Sequence, residues 1–280
     1  MGVLSDAAGS REQRFVLART QFFDHGECPE GGVSPLILRS WQRCRHDGLC
    51  QDDRDHVLSV GRARLSESRE RSGRLLEQAS GVMEHVFEQI RASGSMVILA
   101  DPDGIILHSL GDAEFVDRAN RVALQPGACW TEALRGTNAI GTAIAERSAV
   151  EVLGMEHYLQ RNAFLSCTAA PVLGADGRVH GVLDISCDHR VHQRHTLGLV
   201  RLSVQLLEKR IFEAEFANDI LIAFHSRPEY IGSLQEAMIA VSTEGNILGA
   251  NTAAREWRAQ RACDGEGATF GALFSHGFGK

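Results

Sequence analysis

The most distinctive hydrogen-bonding side chains are Thr131-Glu132, followed at short spacing by Thr137-Asn138 and Thr142. Hydroxyls, an amide and a carboxylate together supply donors and acceptors. Gly136 and Gly141 bracket Thr137–Ile140, and glycines permit close backbone approach and leave room for a ligand. Set against Trp130 as an apolar wall, such a group suits a small, neutral or weakly polar molecule: a short alcohol, ketone or diol. The same run also reads as a plain helix start packed tightly on a sheet. Thr131 is then the N-cap, and Glu132 sits in the first turn, where the dipole favours an anion.

Three further residues invite a different chemistry. His157 follows Glu156, and with Cys129 and Cys167 it offers the imidazole and thiolate ligands of a soft metal site or a thiol redox pair. The spacing is irregular, and no Cys-x-x-Cys supports it. A packed histidine and two buried thiols are the alternative. Cys167 as a nucleophile would need a base and an electropositive setting. Only His157 is a candidate, so no nucleophile–base–orienter set is legible and an enzyme is not expected. His189, His192 and His195 recur in steps of three beside Arg190 and Arg194, which suits either a metal or a solvated helix start. Asp184 reads as part of a sheet-to-helix junction and Asp188 as an N-cap.

The elements that must position these groups are readable from periodicity. Ser34-Pro35 opens a helix that Gly48 can end, with Leu36, Ile37, Trp41 and Cys44 between them. A second helix is expected over Glu67–Ala92, where Leu75, Leu76, Ala79, Val82, Met83, Val86 and Ile90 follow helical spacing. Met96–Ala100 and Ile105–Ser109 flank the turn Asp101–Gly104 as a hairpin. A polar helix near Glu114–Ala123 follows. Val150–Leu153, Phe164–Leu173 and Val179–Ser186 are further strands, the last two joined at Gly174–Gly177. A long amphipathic helix spans about Arg190–Phe216. Its seam of Val200, Val204, Leu207 and Ile211 suggests a homodimer through long helices. One more hairpin, Ala237–Thr243 with Ile247–Asn251, precedes a short helix at Thr252–Arg258.

The expected class is α+β: an antiparallel sheet flanked by helices, with long helices at both ends. The chain divides into a flexible lead-in over 1–33, carrying at most a short helix at Gln13–Phe23; a helical segment over 34–93; a sensor domain over 94–216; a linker over 217–232; and the start of a second domain over 233–280. Its 280 residues are 44% hydrophobic, enough for an ordinary core. The net charge of −7, with acidic and basic residues interleaved, argues against direct nucleic-acid binding. No apolar run approaches the roughly 20 residues of a membrane span, and no secretory signal opens the chain. Seven scattered cysteines suit free thiols in the cytoplasm.

Several separated motifs agree in order. They are Pro126-Gly127-Ala128-Cys129-Trp130-Thr131-Glu132 leading to Gly136-Thr137-Asn138-Ala139-Ile140-Gly141-Thr142; Glu156-His157; Ser166-Cys167-Thr168-Ala169-Ala170-Pro171; and Gly181-Val182-Leu183-Asp184-Ile185-Ser186. With Ser40-Trp41-Gln42-Arg43-Cys44 and Gly48-Leu49 upstream, the stretch over roughly 34–255 resembles the N-terminal sensory region of sigma-54-dependent activators similar to the acetoin-catabolism regulators. The resemblance implies a GAF-type sensor followed by a PAS-like domain, of which 237–251 looks like the start. It implies a small-molecule effector and, in an intact relative, a downstream ATPase and a DNA-binding domain. No Gly-x-x-x-x-Gly-Lys-Ser/Thr phosphate loop occurs here, so a sensor fragment or a truncated relative is expected. Trp130, Glu132, Thr137, Asn138, Thr142, His157 and Cys167 are the expected pocket residues. No cofactor is named by the residues. A metal or thiol sensor using His157, Cys129 and Cys167, or a structural dimerisation module, is the alternative.

Overall fold

A computed structural model of the chain describes residues 3–53, 59–191, 193–260 and 269–274. Four helices precede the first strand: α1 (Val3–His25), α2 (Pro35–His46), α3 (Arg62–Arg71) and α4 (Gly73–Ile90). The chain continues through β1 (Ser95–Ala100), β2 (Ile106–Gly111), α5 (Ala113–Asn120), α6 (Glu132–Arg135), α7 (Ala139–Glu146), β3 (Val150–Leu153), β4 (Leu165–Leu173), β5 (Val179–Asp188) and α8 (Thr196–Glu215). These strands form one antiparallel sheet in the order β2-β1-β5-β4-β3. After α8 come β6 (Ile220–Phe224), β7 (Ala237–Val241), β8 (Ile247–Ala250), α9 (Thr252–Ala259) and α10 (Phe270–Leu273), with the three strands in a second antiparallel sheet.

Alternation along the strands divides the large sheet into two buried faces. The outer face presents Val97, Leu99, Ala170, Val172, Leu183 and Ile185 to α4 and α8, in one apolar cluster with Leu75, Val82, Met83, Val86, Val200, Val204, Leu207 and Ile211. The inner face presents Met96, Ile98, Ala169 and Val182 beneath α2, α5, α6 and α7, with Phe115, Trp41, Trp130 and Ile140 in the same cluster. The sequence therefore folds as the expected mixed helix and antiparallel sheet.

Several local expectations need correction. The stretch over 1–33 is not a mere lead-in: α1 runs to His25 and places Ala18 and Phe22 in the core. Phe15, Phe22 and Phe23 ring Trp41 at centroid distances of 5.3–6.3 Å. The guanidinium of Arg19 donates to the carbonyls of Met155, His157 and Tyr158. The helix expected over Glu67–Ala92 is two helices broken at Ser72. The expected linker over 217–232 contains β6, paired along its length with β7. Its sequence Ile220-Leu221-Ile222-Ala223-Phe224 is apolar throughout, and such a short run carries little periodicity to identify it.

Asp184 is not at a junction. It lies mid-strand in β5, opposite Ile98 on one side and Ala169 on the other. Asp188 does not cap the long helix, whose N-cap is His195; it pairs with Arg118 and accepts the Arg190 amide. Val204 and Leu207 are turned into the chain's own core, so the seam proposed for a dimer is already occupied. Of the histidine triplet, His192 lies outside the described residues. Among the described residues no helix is long and apolar enough to cross a membrane.

Candidate functional site

The polar run singled out in the sequence folds into a hydrogen-bonded clasp between α2 and α6–α7. Glu132, in the first turn of α6, is nearly buried. Its carboxylate accepts the Ser40 hydroxyl at 2.5 Å and the Thr142 hydroxyl at 2.7 Å. Arg43 approaches both its oxygens, Nε to Oε2 at 2.6 Å and Nη2 to Oε1 at 3.0 Å. With the Ser40 hydrogen on Glu132, the Thr137 hydroxyl donates to Ser40 Oγ at 2.7 Å. Arg43 Nη1 and Arg39 then bind Glu146 at the far end of α7. This pairing holds the Glu146 carboxyl below the usual carboxylate range, with the Arg39 hydrogen bond the largest cause.

Asn138 is the N-cap of α7, its Oδ1 accepting the Gly141 amide at 2.9 Å and its Nδ2 donating to Gly136 O at 2.8 Å. Thr131 occupies the N-cap position of α6, but its side chain makes no cap bond. The room expected beside the two glycines is filled by protein. A Cβ at Gly136 (φ +64°) would lie 2.5 Å from Tyr158 Cβ, and one at Gly141 would lie 2.7 Å from Trp130 O. Trp130 is buried, donating its indole N–H to Ala123 O at 2.9 Å. So Glu132, Thr137 and Thr142 are brought together, with Asn138 beside them.

His157 and Cys167 lie apart from that clasp. His157 is fully buried in the loop after β3. Its Nδ1 faces Gly154 O at 2.9 Å, so that nitrogen carries the proton, and Nε2 has no hydrogen-bond partner. Burial pushes its pKa down to about 4. The sulfur of Cys129 lies 3.5 Å from Asp103 O, near the β1–β2 turn, whereas Cys167 is the third residue of β4. Among the described residues no three His, Cys, Asp or Glu side chains converge as a metal site. Cys167 is held in its thiol form, first by burial and then by the charge of Asp184, which removes the thiolate a nucleophile needs.

The feature that sequence reasoning missed lies beside Cys167. Asp184, Ser186 and Cys167 form a row of polar side chains on the otherwise apolar inner face. Ser186 Oγ is 2.6 Å from Asp184 Oδ2 and 3.1 Å from Cys167 Sγ. One hydroxyl hydrogen serves one acceptor. With the carboxylate ionised that hydrogen goes to Asp184 Oδ2; with the carboxyl protonated it is free to go to Cys167 Sγ. Asp184 Oδ1 has no hydrogen-bond partner. Burial, opposed by the Ser186 bond, raises the Asp184 carboxyl to about 7. The sequence signal was an acidic residue at an inward position of an apolar strand, and alternation from Val182 could have exposed it. Arg135 is a second missed group. It is 1% exposed and stacked 5.4 Å from the Trp130 ring, with Nη2 unpartnered.

A separate open cleft of about 420 Å³ lies between α8 and the second sheet, lined by Glu208, Lys209, Glu236, Asn251 and Trp257 among others. Its walls are tied by Lys209 to Glu236 at 2.5 Å and by Glu208, which accepts both the Leu173 amide and the Thr252 hydroxyl.

Comparison with known proteins agrees with this architecture. The chain is 29% identical over 225 residues to the acetoin catabolism regulatory protein of Cupriavidus necator, covering 79% of this chain and 34% of that protein. It is 30% identical over 191 residues to the acetoin dehydrogenase operon transcriptional activator AcoR of Bacillus subtilis, covering 68% and 32%. It is 30% identical over 172 residues to the propane 2-monooxygenase operon transcriptional activator MimR of Mycolicibacterium goodii, covering 61% and 28%. The chain thus spans about a third of the length of these relatives. In fold it is similar to the crystal structure of the Escherichia coli DhaR(N)–DhaL complex, with a TM-score of 0.60 at 19% identity, over 85% of this chain and 81% of that one. The resemblance read from the separated motifs is therefore shown, and the model of the MimR N-terminal domain matches residues 11–205: the chain belongs to that family.

Proposed function

We propose that this chain is the signal-receiving region of a transcriptional activator. It takes a small organic effector on the inner face of the large sheet, beneath α7, and controls a sigma-54 activator ATPase carried outside this sequence. The observation that carries the reading is the Asp184–Ser186–Cys167 row. A polar group taken out of water without its hydrogen bonds costs about 1–3 kcal/mol by mutational measure, and more when charged. Here such a group sits in the middle of the sheet under a short helix. The covering helix, α7, is also the element that the Glu132 clasp ties to α2. A molecule that wedges under α7 in one of two arrangements shifts the population toward that arrangement, and α2 moves with it. A homodimer in this scheme would use surfaces other than Val204 and Leu207.

The test is thermal unfolding of the purified chain against short alcohols, ketones, diols, phenols and divalent metals. A ligand of the folded state stabilises it by about 2.7 kcal/mol at 100 times its dissociation constant. A saturable rise in the unfolding midpoint with one organic class is expected. A rise with metals alone would replace this reading with the metal or thiol sensor, and no rise with anything would leave a structural module.

A further inference from the structure

Resting on the sensing reading above only for what displaces α7, we propose that the turn between β4 and β5 couples the large-sheet domain to the second one, held by Arg147 on one side and Arg255 on the other. The two guanidiniums reach this turn from different domains. Arg147 is the residue on which α7 ends, and its Nη2 donates to Gly177 O. Arg255, on α9, donates from Nη1 to Gly174 O at 2.8 Å and to Ala250 O at 2.6 Å, tying the turn to the end of β8. The Ala250 amide in its turn donates to Ala175 O at 3.4 Å.

On the side of the second domain the contacts close into a ring. Arg255 Nη2 donates to Thr252 Oγ1 at 2.8 Å, and Thr252 donates to Glu208 Oε2 at 2.9 Å. Glu208 Oε1 accepts the Leu173 amide at 2.7 Å, one residue before Gly174. There is little slack: a Cβ at Gly249 of β8 would lie 2.9 Å from Ala175 Cβ.

The sensing side is equally direct. Glu146, the last residue of α7, binds Arg39 and Arg43 of α2, and Arg147 follows it. One end of one helix therefore meets both the clasp and the turn. Helix α8, the covalent connection between the domains, packs on the opposite face of the sheet. A displacement of α7 thus reaches α9 across the turn without passing along α8. Backbone conformation singles out the same residue. Arg147 is held at φ +50° and ψ +37°, a left-handed conformation that suits glycine and persists elsewhere when the surroundings hold it.

The experiment is amide hydrogen exchange on the intact chain, with no added compound, in the wild type, Arg147→Gly, Arg255→Ala and the double variant. Glycine takes the left-handed conformation without strain, so Arg147→Gly frees the turn without weakening the end of α7. In that variant exchange over 250–259 should rise about fivefold, the loss of one net hydrogen bond. Residues 196–204 of α8 should be unchanged and the thermal midpoint not lowered. Arg255→Ala should speed exchange over 139–147, because coupling is reciprocal. In the double variant, 139–147 should match Arg147→Gly alone and 250–259 should match Arg255→Ala alone. An unchanged 250–259 in Arg147→Gly, an equal change along all of α8, or effects that add in the double variant would each overturn the coupling and leave the sensor reading standing. A missing midpoint shift with the organic compounds would remove the sensor reading and leave the coupling standing.

Discussion

Glu132 and Asp184 are both buried carboxyls, one in the first turn of α6 and one in the middle of β5. Glu132 receives two hydroxyls and a two-point contact from Arg43. Asp184 receives one hydroxyl. The first is a satisfied charge whose partners lie on two helices, so it fastens them. The second is a carboxyl lifted to about 7 by burial on a sheet face, with Oδ1 left unpartnered. Hydrogen-bond accounting, not burial or prominence in the sequence, separates a structural carboxylate from a receiving one.

The contrast can be broken at Glu132 first. Glu132→Ala removes the acceptor shared by Arg43, Ser40 and Thr142 and should lower stability by about 3–4 kcal/mol, read by urea unfolding. Asp184→Asn, with no bound effector, should be neutral or stabilising above pH 7, because it removes an uncompensated charge. A comparable loss in both variants would erase the distinction.

The next effect is pH dependence. Asp184 has its folded pKa near 7, above the ordinary 3.8. The native state therefore holds a proton that the unfolded state releases. The resulting stability is fully present below about pH 4 and is lost as pH rises through 7. His157 behaves oppositely, with its folded pKa near 4, below the ordinary 6.5. Its contribution is present above about pH 6.5 and is lost as pH falls through 4. At about 1.36 kcal/mol per pKa unit, the Asp184 contribution is at most about 4 kcal/mol and that of His157 at most about 3 kcal/mol. They offset one another between roughly pH 4 and 6.5. Unfolding curves should then show a nearly flat wild type in that window, an acid-side fall in Asp184→Asn and an acid-side rise in His157→Phe. Parallel profiles in all three would contradict the assignment.

Smaller effects refine the clasp. Ser40→Ala removes a hydroxyl that touches Glu132 and Thr137, and should cost about 1–2 kcal/mol by the same unfolding measurement. Arg39→Ala removes an ion pair whose arginine is 53% exposed and screened by water, and should cost less than Ser40→Ala. If Arg39 mattered more than Ser40, the clasp would be electrostatic at its surface and not at its buried centre.

Much of this was legible from periodicity and turn chemistry. The Asp101–Gly104 hairpin, the strands of the large sheet, the Ser34-Pro35 helix start and the small-residue run over 131–142 all follow local rules that the fold obeys. The same run reads equally as pocket lining or as a helix cap, because hydroxyls and amides serve both. Its long-range partners Ser40 and Arg43 lie some 90 residues away in sequence, so local spacing does not reveal them. Helix α1 was underread because its apolar positions acquire meaning only against Trp41. Asp184 was misplaced because a strand's alternation says which residues share a face, not whether that face is dry.

The most direct test of the central claim is amide hydrogen exchange on the intact chain, with and without each panel compound that raises the unfolding midpoint. The account predicts slower exchange in β5 and α7, and a change in α2 passed through the Glu132 clasp that disappears in Glu132→Ala. Protection confined to α8 and the second sheet, around the Lys209–Glu236 cleft, would move the effector site there and contradict the account.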